Sequence, residues 1–113
     1  MIAHSLKNKA FGPAQNLHGA TYVVDVSFYS ENLNPLNVVI DISLAQNILK
    51  EALETLRYKN LDDLNELKGK YTTTEFLAKY IHSKVKDGAK EVFTGKISVT
   101  LGESHIAWAT YEE

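Results

Sequence analysis

Ala20-Thr21-Tyr22-Val23-Val24-Asp25-Val26-Ser27-Phe28-Tyr29 alternates with a period of two. Tyr22, Val24, Val26 and Phe28 fall on one face of an extended chain, and Thr21, Val23, Asp25 and Ser27 on the other. The second face is only partly polar, so the run reads as a half-buried strand of an antiparallel sheet. Before it, Gly12-Pro13 and the polar residues up to His18 read as a loop. After it, Asn32 to Pro35 has turn composition, and Val38-Val39-Ile40 reads as a second, short strand. Asp41 or Ser43 can cap the element that follows.

Ala45, Ile48, Leu49, Ala52, Leu53 and Leu56 then recur at helical spacing, which predicts an amphipathic helix with one buried stripe. Arg57 to Lys70 is polar apart from Leu61, Leu64 and Leu67 and reads as a loop. A second helix opens at Thr72-Thr73-Thr74-Glu75, where Thr72 and Glu75 have capping-box spacing, and Leu77, Tyr80, Ile81 and Val85 give its inner face. His82, flanked by Lys79 and Lys84, reads as a solvated helix residue. Two β-rich runs, Lys96–Leu101 and Ile106–Tyr111, close the chain. The order ββααββ predicts an α+β domain over residues 1–113, a four-stranded antiparallel sheet with two helices on one face. So small an open sheet has edge strands to cover, and closed symmetric oligomers cover them.

The composition narrows the function. The 113 residues are 44% hydrophobic and 23% charged, enough for one core. A formal charge of −2 with no basic stripe gives no footprint for nucleic acid. No apolar run is long enough to span a membrane, and Met1 to Lys9 has no apolar signal-peptide core, so cytoplasm is the expected compartment. The absence of cysteine excludes a disulfide framework, a thiolate metal ligand and a thiol nucleophile.

Five segments, in order and spacing, carry a resemblance to a known family. They are Ala3-His4, Leu17-His18-Gly19-Ala20-Thr21-Tyr22, Tyr58-Lys59-Asn60-Leu61-Asp62, Thr72-Thr73-Thr74-Glu75 and Leu101-Gly102-Glu103-Ser104. Together they cover essentially the whole chain. The pattern resembles the 6-pyruvoyl-tetrahydropterin synthases and the 6-carboxytetrahydropterin synthases of queuosine biosynthesis. The resemblance implies the tunnelling fold, assembly of subunits into a trimer or a hexameric barrel, a zinc site, and a pterin pocket at the subunit interface.

It also implies roles for residues. In this family a histidine near the N-terminus and two in a His-Gly-His motif hold zinc; His4 and His18 match two of these, and Ala20 stands at the third. Residues i and i+2 of a strand share a face, so both motif positions can reach one ion. A catalytic zinc site commonly has three protein ligands. His105, two residues beyond Glu103, is the candidate replacement if the strand is regular there; otherwise His4, His18 and His105 line a pocket without metal. Either the first strand is short or the chain begins later than its relatives do.

The family's catalytic cysteine falls at about Ala14, and its Asp-His pair at Arg57-Tyr58. Arginine cannot accept a proton, and an unperturbed tyrosine is almost wholly protonated at neutral pH. Tyr58 and His105 are the candidate replacement acid–base groups. The anchor positions, by contrast, match. Glu103 stands where the family places the carboxylate that accepts two adjacent N–H groups of the pterin edge, and Thr73 and Thr74 where it places further pterin contacts. Trp108 and Tyr111 are expected in the core or an interface rather than stacked on a ligand ring. The expected function is thus a pterin-binding, zinc-dependent lyase on a dihydroneopterin-type substrate with altered acid–base residues. The alternative is a pterin- or purine-binding protein without the family's chemistry.

Overall fold

A computed structural model describes residues 1–113. The chain runs β1 (Ile2–His4), β2 (His18–Ala20), β3 (Val23–Tyr29), α1 (Ile42–Glu54), α2 (Thr74–Ala89), β4 (Lys96–Ser104) and β5 (Ala107–Glu112). Short 3-10 turns cover Lys9–Gln15, Leu61–Asp63 and Asn65–Leu67. The fold is α+β, but the expected four-stranded sheet is instead two antiparallel sheets, β1-β2 and β3-β4-β5. Two local features account for the difference. The run from Ala20 divides at Thr21-Tyr22, so its first residue pairs with β1 and the remainder with β4. Val38–Ile40 is not a strand, because the side chain of Asn34 accepts the N–H groups of Leu36 and Val38 and winds this stretch into a loop.

The alternation read from β3 holds: Val24, Val26 and Phe28 pack against the core, while Val23, Asp25, Ser27 and Tyr29 face out. The central strand β4 contributes Ile97, Val99 and Leu101, each 1% exposed or less. α2 lies on β4 and β5, and α1 packs on α2. Leu77, Ile81 and Val85 of α2 meet Ile48 and Ala52 of α1 in one apolar cluster that also takes Leu61 and Leu67 from the connecting segment. Burying each such leucine or isoleucine contributes about 1.5–3 kcal/mol, so these two loop leucines pin the segment that leads to α2.

Asp41, one of two candidate caps, is the residue that starts α1; its carboxylate accepts the N–H of Leu44 at 2.9 Å. Asp41→Ala should cost about 1 kcal/mol, a fall of roughly 4 °C in Tm measured by calorimetry. At α2 the cap lies one residue later than the capping-box spacing predicts. Thr73, not Thr72, accepts the N–H of Phe76. Thr72 is buried and its hydroxyl is used elsewhere.

One further expectation changes, and the one for Trp108, core or interface, loses the core. His82 is buried, with 3% of its surface exposed, and its Nε2 lies 3.1 Å from the carbonyl of Ile97 and 3.3 Å from that of Glu113. Lysine neighbours in sequence do not place a helix residue in water; His82 follows Ile81 on the stripe facing β4 and β5. Trp108 is outside the core at 63% exposed, because even-numbered positions of β5 face away from α2. Tyr111 packs edge-on against the His82 ring, with centroids 4.8 Å apart.

Candidate functional site

The two-stranded sheet sets His4 directly opposite His18. Their rings meet edge to face with centroids 4.6 Å apart. β1 is held on its other edge by residues 58–60: the Ala3 N–H donates to the Lys59 carbonyl at 3.0 Å and the Tyr58 N–H to the Met1 carbonyl at 2.8 Å. Asp62 ties down the end of β1 by accepting both the backbone N–H of Ser5 at 3.2 Å and its hydroxyl at 2.5 Å. So a strand of only three residues is fixed from three directions.

Each imidazole uses Nδ1 to lock its orientation. Nδ1 of His18 lies 2.8 Å from the Asn16 carbonyl. A carbonyl only accepts, so Nδ1 carries the hydrogen and is taken up by this bond, which leaves Nε2 as the ring nitrogen free for another partner. Nδ1 of His4 lies 2.9 Å from the Thr72 hydroxyl, which can donate or accept. His4 itself is only 3% exposed. Burial and then the neighbouring His18 lower its pKa, partly opposed by Asp62, Thr72 and Glu103, so the ring is neutral at pH 7.

The segment Thr72-Thr73-Thr74 connects this pair to the anchor residues. Thr72 meets His4, Thr73 caps α2, and the Thr74 hydroxyl donates to Oε2 of Glu103 at 3.2 Å. Because the Thr73 oxygen is accepting from Phe76, its own hydrogen stays available to an incoming group. Glu103 lies near the exposed end of β4, where Gly102 pairs with Val23. Tyr22 stands beside Thr74 and Glu103. Its burial, and then the carboxylates of Glu103 and Glu75, raise its pKa against the opposing effect of the Thr74 hydroxyl, so Tyr22 is a donor and not a base.

The structure therefore brings His4, His18, Thr74 and Glu103 into one neighbourhood, with Thr73 at its helix end. Tyr58 and His105 stand apart from it. Tyr58 lies along the edge of β1 opposite β2, 79% exposed, and adopts φ 57°, a left-handed conformation strained for a bulky residue. His105 does not share a strand face with Glu103, because β4 ends at Ser104 and His105 lies exposed in the turn to β5. No three His, Cys, Asp or Glu side chains assemble into a metal-holding group. The chain's own residues thus supply two imidazoles, and this does not fit a self-sufficient three-ligand zinc site.

Thr72, Asn16 and Tyr22 were not singled out as site residues by the sequence reading. Tyr22 and Thr72 carry a signal in sequence, as the last residue of the His18 segment and the first of the threonine segment, whereas Asn16 acts through a backbone carbonyl that any loop offers. No helix is long and apolar enough to cross a membrane.

Comparison with known proteins places the whole chain among its relatives. The family described as 6-pyruvoyl tetrahydropterin synthase matches residues 1–113. A 6-pyruvoyl tetrahydrobiopterin synthase of Dictyostelium discoideum is 35% identical over 85 residues, which are 74% of this chain and 63% of that relative. A 6-carboxy-5,6,7,8-tetrahydropterin synthase of Aquifex aeolicus is 29% identical across 98% of this chain and 83% of its own length. The solved 6-pyruvoyl tetrahydropterin synthase of Caenorhabditis elegans superposes with a TM-score of 0.84 at 27% identity, covering 99% of this chain and 88% of that one. The Plasmodium vivax enzyme, at 20% identity and a TM-score of 0.77 over 99% of this chain and 89% of its own, shares the fold. With its whole length matched and its fold shared, this chain belongs to the 6-pyruvoyl tetrahydropterin synthase family.

Proposed function

We propose that this protein binds a reduced pterin and acts as a lyase of the 6-pyruvoyl/6-carboxytetrahydropterin synthase type on a dihydroneopterin-like substrate. The observation that carries the reading is the Thr74–Glu103 contact beside the His4–His18 pair. Glu103 accepts the two adjacent N–H donors of the pterin edge, and Thr74 fixes one of its oxygens. The free hydrogen of Thr73 and the N-terminal N–H groups of α2 meet acceptors on the ring. The two imidazoles form the wall against which the substrate's hydroxylated side chain rests.

Acid–base work falls to groups other than those the family uses, since Arg57 cannot take a proton and no thiol exists. Tyr58, held in a strained backbone conformation at the edge of β1, and His105, on the hairpin after the anchor, are the proposed groups. Both stand apart from Glu103 within one subunit, so a neighbouring subunit of the assembly must bring them to the substrate. Assembly into a trimer or hexamer follows from the same reading. β3 and β5 are both edge strands, and Val23 and Trp108 lie exposed on either side of Gly102.

The test is a fluorescence titration with 7,8-dihydroneopterin, followed by incubation with its triphosphate and identification of the product. Saturable binding with loss of the side chain or of triphosphate supports the lyase. Binding without turnover moves the protein to the non-catalytic alternative, and no binding removes the pterin pocket altogether.

A further inference from the structure

A second cleft, of about 380 Å³, shares no residue with the Glu103 site. Two segments far apart in sequence build it: the stretch just after β1, with Ser5 and Lys7, and the turn that leads to α2. Successive residues of an extended chain face opposite ways, so His4 turns to Thr72 while Ser5 turns to Asp62 on this side. The turn is written in the sequence Lys68-Gly69-Lys70. Lys68 has φ −60° and ψ 135°, Gly69 has φ 77°, and the Lys70 N–H donates to the Leu67 carbonyl at 3.1 Å. That is a type II turn, with glycine where a left-handed residue is required. Leu67 is buried in the core, so the turn is pinned while Lys68 and Lys70 stay exposed on either side of the glycine.

The charges of this cleft are uncompensated. Lys84, Lys86, Lys90 and Lys96 each have a carboxylate within 3.8 Å, whereas Lys7, Lys68 and Lys70 form no ion pair. The one carboxylate on the wall, Asp62, is committed to Ser5, whose N–H and hydroxyl it accepts. A chain of formal charge −2 thus carries a locally positive cleft. Neutral donors add to it. Asn8 donates to the Tyr71 hydroxyl at 3.2 Å, which leaves that hydroxyl's own hydrogen free, and the Phe11 ring packs on Tyr71 at 5.4 Å. The backbone N–H groups of Gly69 and Tyr71 donate to no other backbone group. Lys7 gives one of its three hydrogens to the Gln15 carbonyl at 3.3 Å and keeps two.

We infer that the cleft between Lys7 and the Lys68-Gly69-Lys70 turn is an anion site for a di- or triphosphate group. Such a group carries several charges and enough oxygens to accept from ammonium, hydroxyl and backbone N–H donors together. Lysine meets phosphate as a point charge, whereas planar carboxylates are gripped by arginine, and the chain's single arginine, Arg57, is not in the cleft. A free polyphosphate and the phosphorylated tail of a larger ligand present the same oxygens. Because no residue serves both clefts, the anion site stands or falls apart from the pterin pocket.

The experiment is calorimetric titration of the full-length protein with sodium tripolyphosphate, free of divalent metal, at about 0.1 M salt, where screening acts beyond roughly 10 Å. Binding should saturate and weaken as salt is raised. Lys68→Ala combined with Lys70→Ala should lower the affinity about tenfold or more, since each change removes a charge-assisted contact. Lys7→Ala, in the other segment, should lower it about threefold. All three lysines are exposed, so Tm should stay within about 2 °C of the parent. Lys86→Ala combined with Lys90→Ala removes the same charge at the far end of α2, more than one screening length away, and should change the affinity less than about twofold. No saturable binding, or equal losses from the near and far lysine pairs, would overturn the site. Titration with 7,8-dihydroneopterin and its triphosphate identifies the source of the group. An advantage of the triphosphate that disappears in the Lys68 and Lys70 variant makes the group a ligand's tail. Tripolyphosphate binding with no such advantage makes it a free anion, and if neither pterin binds, the ring pocket falls while the anion site stands.

Discussion

Glu103→Gln abolishes pterin binding under this reading, with a loss of about 100-fold or more in affinity and no change in fold. An ionised carboxylate offers acceptor oxygens to both N–H groups of the pterin edge. An amide offers one acceptor and turns an N–H of its own against the second donor. Replacing a charge-assisted pair by one neutral bond and one unmet donor costs about 3 kcal/mol, which is roughly two orders of magnitude in Kd. The folded protein makes little use of this side chain. Glu103 is exposed and its one bond within the chain is to the Thr74 hydroxyl. The Tm of the variant should therefore stay within about 2 °C of the parent, since exposed polar substitutions change stability by a few tenths of a kcal/mol. Fluorescence titration gives the affinity and calorimetry the stability. Unchanged affinity would place the anchor elsewhere, and a large fall in Tm would show that Glu103 serves the fold.

His82→Ala should produce the largest loss of stability among single substitutions outside the apolar core. Its Nε2–H is shared between the carbonyls of Ile97 and Glu113, which also pair with each other's N–H groups across the end of the sheet. One ring thus ties α2 to the strand that carries the anchor and to the last residue of the chain. Removing it loses those bonds, the edge contact with Tyr111, and the volume of a ring in a buried site. Together these amount to about 3 kcal/mol, or a fall of roughly 12 °C in Tm. Were His82 solvated, the change would stay within about 0.5 kcal/mol, so thermal unfolding separates the two cases plainly. Pterin affinity at a temperature where the variant remains folded should be retained, because His82 belongs to the opposite end of β4 from Glu103.

The sequence alone determined the class of elements and the family. Period-two alternation in β3 and helical spacing in α1 and α2 are local, repeated signals, and burial followed them apart from His82. The order of five short segments was enough to identify the relatives, whereas the contact between Thr74 and Glu103 came from the structure. What depended on long-range geometry could not be read from it. Asn34 turned an apolar triplet into a loop through two side-chain bonds, and the register of β4 and β5 placed His105 in a turn instead of on a strand face. Whether His82 faced water or the sheet was set by which face of α2 packs on β4 and β5, not by its charged neighbours. The same holds for the histidine pair. His4 and His18 are 14 residues apart in sequence and stand opposite each other only because β1 pairs with β2, while Thr72 reaches His4 from 68 residues away. Residue types are local, but the distances that turn two imidazoles, a threonine and a carboxylate into a site are properties of the packed chain.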